Sequence, residues 1–213
     1  MSMLALLGGT FDPVHLGHLR VAWEAAEALD AEVRLLPAHV PPHRPPPQAS
    51  PAERVAMLRA ALAGQSRLTL DTREIERRGP SYMVDTLADL RREVGPARPL
   101  VLLLGADAFA GLPSWHRWRE LFALAHLGVL TRPGAAPALP AELEAEAAPR
   151  RVADAAALRA APAGRVLAIA VTALDISASR VRALLAAGHE PRYLVPEVLL
   201  ADPALLAPYR RPR

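Results

Sequence analysis

Apolar residues along this chain recur in short strand-like blocks, at 3–7, 32–37, 67–71, 100–104, 126–130 and 166–171, separated by longer mixed stretches. Blocks of that length, the most apolar of them uninterrupted by polar residues, read as strands of a parallel sheet covered on both faces. The mixed stretches at 16–29, 51–63, 81–94, 114–124 and 178–187 read as helices. Strand and helix therefore alternate, which predicts an α/β fold with helices covering both faces of a parallel sheet. Two stretches break the rhythm. Residues 39–51 are dense in proline, which removes amide donors and fixes φ, so they are expected to form an exposed loop of restricted flexibility suited to substrate capture. Residues 133–163 are rich in alanine and proline with weak periodicity, and are expected to be peripheral, partly helical and uninvolved in chemistry. With no internal repeat and no dividing linker, 213 residues are expected to fold as one domain, 1–213, around one active site.

Composition narrows the chemistry. There is no cysteine, which removes disulfide scaffolds, thiolate metal sites and a cysteine nucleophile. The apolar start reaches Gly8-Gly9 at once, far short of a secretory core or a membrane span, so a cytoplasmic protein without membrane contact is expected. The formal net charge is only +3 and every one of the 25 basic residues is arginine, scattered rather than clustered. That excludes a polynucleotide groove, which wants dense basic runs with interleaved aromatics, and favours single phosphates, whose oxygens match the guanidinium fork. A homo-oligomer is compatible with the sequence.

The densest candidate chemistry lies where the first strand meets the first helix, in Gly8-Gly9-Thr10-Phe11-Asp12-Pro13-Val14-His15-Leu16-Gly17-His18. Two glycines allow close approach of the backbone, and the helix start offers unpaired N–H groups and partial positive charge to an anion. His15 and His18 are three apart, which puts both rings on one helix face, able to donate hydrogen bonds to phosphate oxygens. A tight turn and half of a metal site are the other readings of these pieces. The segment is neither the dinucleotide-binding glycine fingerprint nor a Walker loop, and no cysteine or acidic cluster supplies further metal ligands, so no metal site is expected. A second constellation, Asp175-Ile176-Ser177-Ala178-Ser179-Arg180-Val181-Arg182, places Ser177 as a helix N-cap, with Ser179 and Arg182 on the first turns. Together the two segments form a candidate phosphate clamp. Alone, the second reads as an ordinary capped helix.

These paired segments resemble the two motifs of the HxGH-type nucleotidyltransferases. The residues between them are similar to those of bacterial nicotinate-nucleotide adenylyltransferases: Pro41-Pro42-His43-Arg44, Pro80 to Thr86, Gly105-Ala106-Asp107, Ser114-Trp115-His116 and Thr131-Arg132-Pro133-Gly134, in family order. The resemblance implies a Rossmann-like, doubly wound parallel sheet. It also implies ATP and nicotinate mononucleotide as partners, nicotinate adenine dinucleotide and pyrophosphate as products, and Mg2+ carried by ATP. It places Gly8, Gly9 and Thr10 along the nucleotide, His15 and His18 on its phosphates, and Ser177, Ser179 and Arg182 at the β and γ end. Gly105 and Asp107 would border the ribose. Trp115, Tyr82 and Thr86 would enclose the acceptor, with His43, Arg44 and Arg132 as further contacts. The catalytic groups would be His15, His18 and Arg182. Two departures stand out: Met83 replaces a common threonine, and Ala178-Ser179 a common Ser-Thr pair.

The expected chemistry needs no general base, because a phosphate monoester is already mostly a dianion at neutral pH. No Ser-His-Asp or Cys-His arrangement is offered, and in-line attack requires none. Nicotinamide mononucleotide and phosphopantetheine are rival acceptors for the same chemistry, and a noncatalytic ATP-binding module is a rival class. His39, His126 and His189 are expected to be structural or solvent-facing.

Overall fold

The runs Met3 to Leu7 and Leu100 to Leu104 contain no polar side chain, and both lie in the middle of the sheet, where each face of a strand is covered. The computed structural model describes residues 2–39, 46–77, 79–131, 138–172 and 174–210. Within them β1 (Met3–Gly9), β2 (Ala31–Pro37), β3 (Leu68–Leu70), β4 (Leu100–Gly105), β5 (His126–Thr131), β6 (Arg151–Val152) and β7 (Val166–Ala170) form one sheet. Every pairing is parallel, and the order is β3-β2-β1-β4-β5-β7-β6. Around the sheet run α1 (Leu16–Leu29), α2 (Pro51–Leu62), α3 (Arg73–Glu76), α4 (Met83–Val94), α5 (Ala106–Ala110) and α6 (Leu121–Leu124). They are followed by α7 (Ala141–Ala147), α8 (Ala155–Arg159), α9 (Ala178–Ala186), α10 (Glu197–Ala201) and α11 (Ala207–Arg210).

Alternate side chains of β1 enter two separate cores. Met3, Ala5 and Leu7 pack with Ala22, Ala25 and Leu29 of α1 and Met57 and Leu58 of α2. Leu4 and Leu6 point the other way, against Val84, Leu87 and Leu90 of α4, together with Trp118 and Phe122. This is the doubly wound arrangement. Its consequence for function is the reversal of strand order at β1: β2 and β3 extend to one side and β4 to the other, and beyond the carboxyl ends of β1 and β4 is the place where sheets of this kind form a ligand crevice.

Local chemistry fixes the flanking helices. Ser50 accepts from the Glu53 amide while the Glu53 side chain accepts from the Ser50 amide, a capping box that starts α2 with Pro51 in its first turn. One sequence expectation needs correction and another an addition. The stretch 114–124 is not one helix: Leu112–Ser114 and Trp118–Glu120 are 3-10 turns, separated by extended Trp115 and left-handed Arg117 (φ 53°) before α6 begins. That break puts Trp115 and Trp118 in different surroundings. The described part of 133–163 supplies α7 and α8 and also the edge strand β6, and Leu143, Ala147 and Leu158 within it are buried. A two-residue strand beside alanine-rich helices leaves too little hydrophobic contrast to be seen in sequence.

Candidate active site

At the crevice, β1 ends in Gly8 and Gly9. A side chain on Gly9 would approach the Phe11 ring to 2.9 Å, and one on Gly8 would come 3.2 Å from the Met83 methyl group. The first glycine therefore lets the turn fold back over itself, and the second brings the start of α4 against the end of β1. Thr10 follows, half-buried. Opposite, β4 ends at Gly105, where an added side chain would meet nothing within 4 Å, and Asp107 stands exposed on the first turn of α5. Gly105 and Asp107 thus lie across the strand-order reversal from the glycine turn.

The two histidines cap α1 in an unusual reciprocal way. The His18 amide donates to Nδ1 of His15 and the His15 amide donates to Nδ1 of His18, each at 3.3 Å. The rings stack with centroids 3.6 Å apart, and the Phe11 edge meets His18 at 5.0 Å. With each Nδ1 accepting, the proton of the neutral ring sits on Nε2, so both imidazoles are set as donors on the side away from the helix. Burial lowers the His15 pKa to about 4, which keeps that ring neutral at physiological pH. Gly17 is required by this stack: a side chain there would come within 3.1 Å of the His15 ring.

The second motif folds onto the first. Ser177 caps α9 by accepting from the Arg180 amide at 3.2 Å. Arg182 reaches across 170 residues of sequence to donate to the Asp12 carbonyl at 2.7 Å, and its other terminal nitrogen donates to the Ser179 hydroxyl at 3.2 Å. A side chain on Gly17 would also lie 3.6 Å from Cβ of Ile176, so the starts of α1 and α9 are in contact. His15, His18, Ser177, Ser179 and Arg182 are in this way gathered at one end of the crevice.

The residues expected around the acceptor are held more loosely. Tyr82, the residue before α4, lies half-buried with its ring 4.4 Å from that of exposed His116. Trp115 is half-buried beside them at the margin of the second core, whereas Trp118 is buried against Phe122 and beneath the Arg119 guanidinium. Thr86 is placed differently from the other expected acceptor residues. It is fully enclosed, its hydroxyl donating to Glu74 at 2.7 Å and receiving from Arg77 at 2.9 Å. Its side chain therefore braces α3 against α4 rather than facing the crevice. Burial raises the pKa of Glu74 despite these bonds. His43, Arg44 and Arg132 lie outside the described residues.

Three groups beside the site were not singled out from the sequence. Asp12, Arg54 and Tyr209 are buried together behind the glycine turn. Asp12 was visible only as part of the first motif, and nothing in the sequence links Arg54 or Tyr209 to it. Of the remaining histidines, His126 is buried between the Ala161 carbonyl and the Arg165 amide, and His39 bonds the Arg77 carbonyl, both in structural roles; His189 is exposed.

Among the described residues no group of three histidine, cysteine or carboxylate side chains could hold a metal ion, and no helix is long and apolar enough to cross a membrane. Residues 6–184 match the family described as cytidylyltransferase-like. A protein of Dechloromonas aromatica named "Probable nicotinate-nucleotide adenylyltransferase" is 52% identical over 201 residues, covering 92% of this chain and 93% of its own. One of the same name from Halorhodospira halophila is 51% identical over 197 residues, covering 92% of this chain and 90% of its own. The nicotinic acid mononucleotide adenylyltransferase of Plasmodium falciparum, solved in complex with NaAD, shares the fold with a TM-score of 0.69 at 15% identity, over 98% of this chain and 96% of that one. By the span of that match and by its identity to these relatives, the chain belongs to the cytidylyltransferase-like family and, within it, to the nicotinate-nucleotide adenylyltransferases.

Proposed function

We infer that this protein transfers the adenylyl group of ATP to nicotinate mononucleotide, releasing pyrophosphate and forming nicotinate adenine dinucleotide for NAD biosynthesis. The observation that carries the reading is the meeting of two Nε2-donating imidazoles with a guanidinium brought from the far end of the chain. Such a cluster suits a reaction in which anionic oxygens must be gathered and charge moves onto a leaving group.

In this reading the triphosphate lies along Gly8, Gly9 and Thr10. His15 and His18 donate to oxygens at the α-phosphorus, and Ser177, Ser179 and Arg182 hold the β and γ end. Gly105 and Asp107 border the ribose. The acceptor phosphate attacks the α-phosphorus directly, in line with departing pyrophosphate, and no covalent enzyme intermediate forms. Its second pKa near 6 makes it a ready nucleophile, so no side chain removes a proton. His15, being neutral, stabilises by hydrogen bonding rather than by full charge, and Arg182 supplies the charge. Magnesium is taken to arrive with the triphosphate as MgATP.

The pyridine ring is assigned to Trp115 and Tyr82, which are half-buried aromatic residues, with the Tyr82 ring packed against His116. The start of α4 has no side-chain cap, and its main-chain N–H groups are of the right sign for the acceptor carboxylate. Thr86 supports that helix start from behind. Residues 1–213 are proposed to act as one catalytic domain working in the cytoplasm.

The test is pyrophosphate release from MgATP with nicotinate mononucleotide, nicotinamide mononucleotide or phosphopantetheine supplied separately. Strong preference for the first is expected. Preference for another would overturn the assignment of the acceptor pocket, and silence with all three would overturn the reaction.

A further inference from the structure

Asp12 stands in sequence between the glycine turn and the histidine pair, yet its carboxylate faces inward and is only 5% exposed. It accepts from the main-chain amides of Gln48 at 2.8 Å and Ala49 at 3.0 Å, and from the Tyr209 hydroxyl at 2.8 Å. Arg182 approaches the same carboxylate to 3.6 Å while donating to the Asp12 carbonyl. Burial and the neighbouring carboxylate push the Tyr209 phenol well above its ordinary range, so it remains a donor. Its helix is tied down again where the Gln48 side chain donates to the Pro208 carbonyl at 3.0 Å. Arg54 completes the cluster. It is fully buried and donates from Nη1 to the Thr10 carbonyl at 2.7 Å.

We propose that Asp12 is a positioning residue, a buried anchor that fixes the guanidinium of Arg182 at the pyrophosphate end of the site, with Tyr209 locking the anchor in place. The proposal rests on the assignment of ATP to this crevice and not on the identity of the acceptor. An arginine side chain one-quarter exposed has many rotamers open to it, and holding one of them before ATP arrives removes an ordering cost from binding. The carboxylate is itself held by two main-chain donors and a hydroxyl, so it does not follow the arginine; the arginine follows it.

Charge and geometry predict opposite outcomes here. Arg54 and Arg182 against Asp12 leave the cluster with a net positive charge. Replacing Asp12 by asparagine makes it more positive, and attraction alone would tighten a triphosphate. If Asp12 acts by placing Arg182, the same change weakens ATP.

MgATP binding without acceptor, measured by calorimetry on the wild type, Asp12→Asn, Tyr209→Phe, Arg182→Ala and the Asp12→Asn/Arg182→Ala pair, separates the two. Asp12→Asn is expected to weaken ATP about 5-fold, the upper end for a partly exposed ion pair, since Arg182 keeps its bond to the main-chain carbonyl at 12. Tyr209→Phe should weaken it about 3-fold, less than the loss of the carboxylate itself, because the Gln48 and Ala49 amides still hold Asp12 in place. In the Arg182→Ala background, Asp12→Asn should add less than about 2-fold, because coupled residues are non-additive. In turnover, the KM for the acceptor should stay near that of wild type in both single variants. Unchanged or tighter ATP binding by Asp12→Asn, or full additivity with Arg182→Ala, would overturn the proposal. Should Asp12→Asn fail to fold, Tyr209→Phe decides alone, and equal shifts for ATP and acceptor would count against it. A wild type that binds ATP but turns over no acceptor would defeat the proposed reaction and leave this inference standing.

Discussion

The phosphate side of the crevice and the acceptor side differ in how their side chains are held. On the phosphate side His15 is nearly enclosed and bonded to the helix it caps, and Arg182 is tied to both Asp12 and Ser179. On the acceptor side Tyr82 and Trp115 are half-buried, His116 is exposed, and the Tyr82 ring packs against that of His116. The difference suits what the proposed function asks of each side. Charge developing on phosphate oxygens is stabilised best by donors already in place, because any reorganisation subtracts from the gain. A flat pyridine ring is recognised by surface and by one charged substituent, which aromatic side chains can meet after small adjustments.

The largest effect that could break this contrast is at the histidines. His18→Ala removes one preset donor together with its half of the reciprocal cap, and kcat for pyrophosphate release should fall by roughly 10² to 10³. The acceptor KM should change little. A variant with wild-type turnover would mean that the ring pair is only a helix cap. The next effect belongs to pH. His15 has a pKa of about 4 when folded against 6.5 for an ordinary imidazole, so between those values the unfolded chain takes up the proton first. Stability is full above pH 6.5, falls as pH drops toward 4, and changes no further on this account below it. A shift of that size corresponds to at most about 3 kcal/mol. His15→Asn keeps a capping oxygen without a titrating group, and the difference between its thermal midpoint and that of wild type should shrink from pH 7.5 to pH 5. An equal difference at both values would refute the buried neutral state.

The glycine turn and the paired histidines were legible in the sequence because their determinants are local. A glycine pair after an apolar run and histidines three apart on a helix each act within one turn, and the sequence prints them next to one another. The central strands were legible for the same reason, being unbroken apolar runs. What escaped were groups whose meaning depends on distant partners. Asp12 and Tyr209 meet across 197 residues, and Arg54 looks like any arginine on an amphipathic helix until its neighbours are known. Thr86 shows the opposite case. Its place in a family motif suggested ligand contact, while α3, unseen in the sequence, brings Glu74 to its hydroxyl. The helix expected at 114–124 failed because its apolar spacing gives no sign of the left-handed Arg117 that interrupts it.

Thr86 offers a sharper test of where the acceptor side ends. Thr86→Val keeps the shape and removes the hydroxyl shared by Glu74 and Arg77, leaving a buried acceptor short of its donor. A loss of about 1 to 3 kcal/mol of stability is expected, read by denaturant unfolding, with the acceptor KM nearly unchanged. A large rise in that KM at normal stability would return the residue to the pocket.

The smallest effect is the most selective. Trp115 and Trp118 are three residues apart, but Trp118 is 6% exposed and packed in the core, whereas Trp115 follows a 3-10 turn in extended conformation with part of its ring uncovered. A structural tryptophan and a stacking one should therefore respond differently to the same change. Trp118→Ala would empty a core position at a cost of about 3 to 5 kcal/mol, lowering stability with no preference between substrates. Trp115→Ala removes mainly a ring face. Stacking worth about 1.4 kcal/mol corresponds to a tenfold rise in the KM for nicotinate mononucleotide, with that for ATP unchanged. Trp115→Phe should recover most of it, because a smaller ring still stacks. Equal rises for both substrates would make Trp115 a packing residue like its neighbour, and the acceptor side would then have to be sought among the residues that follow β2 and β5.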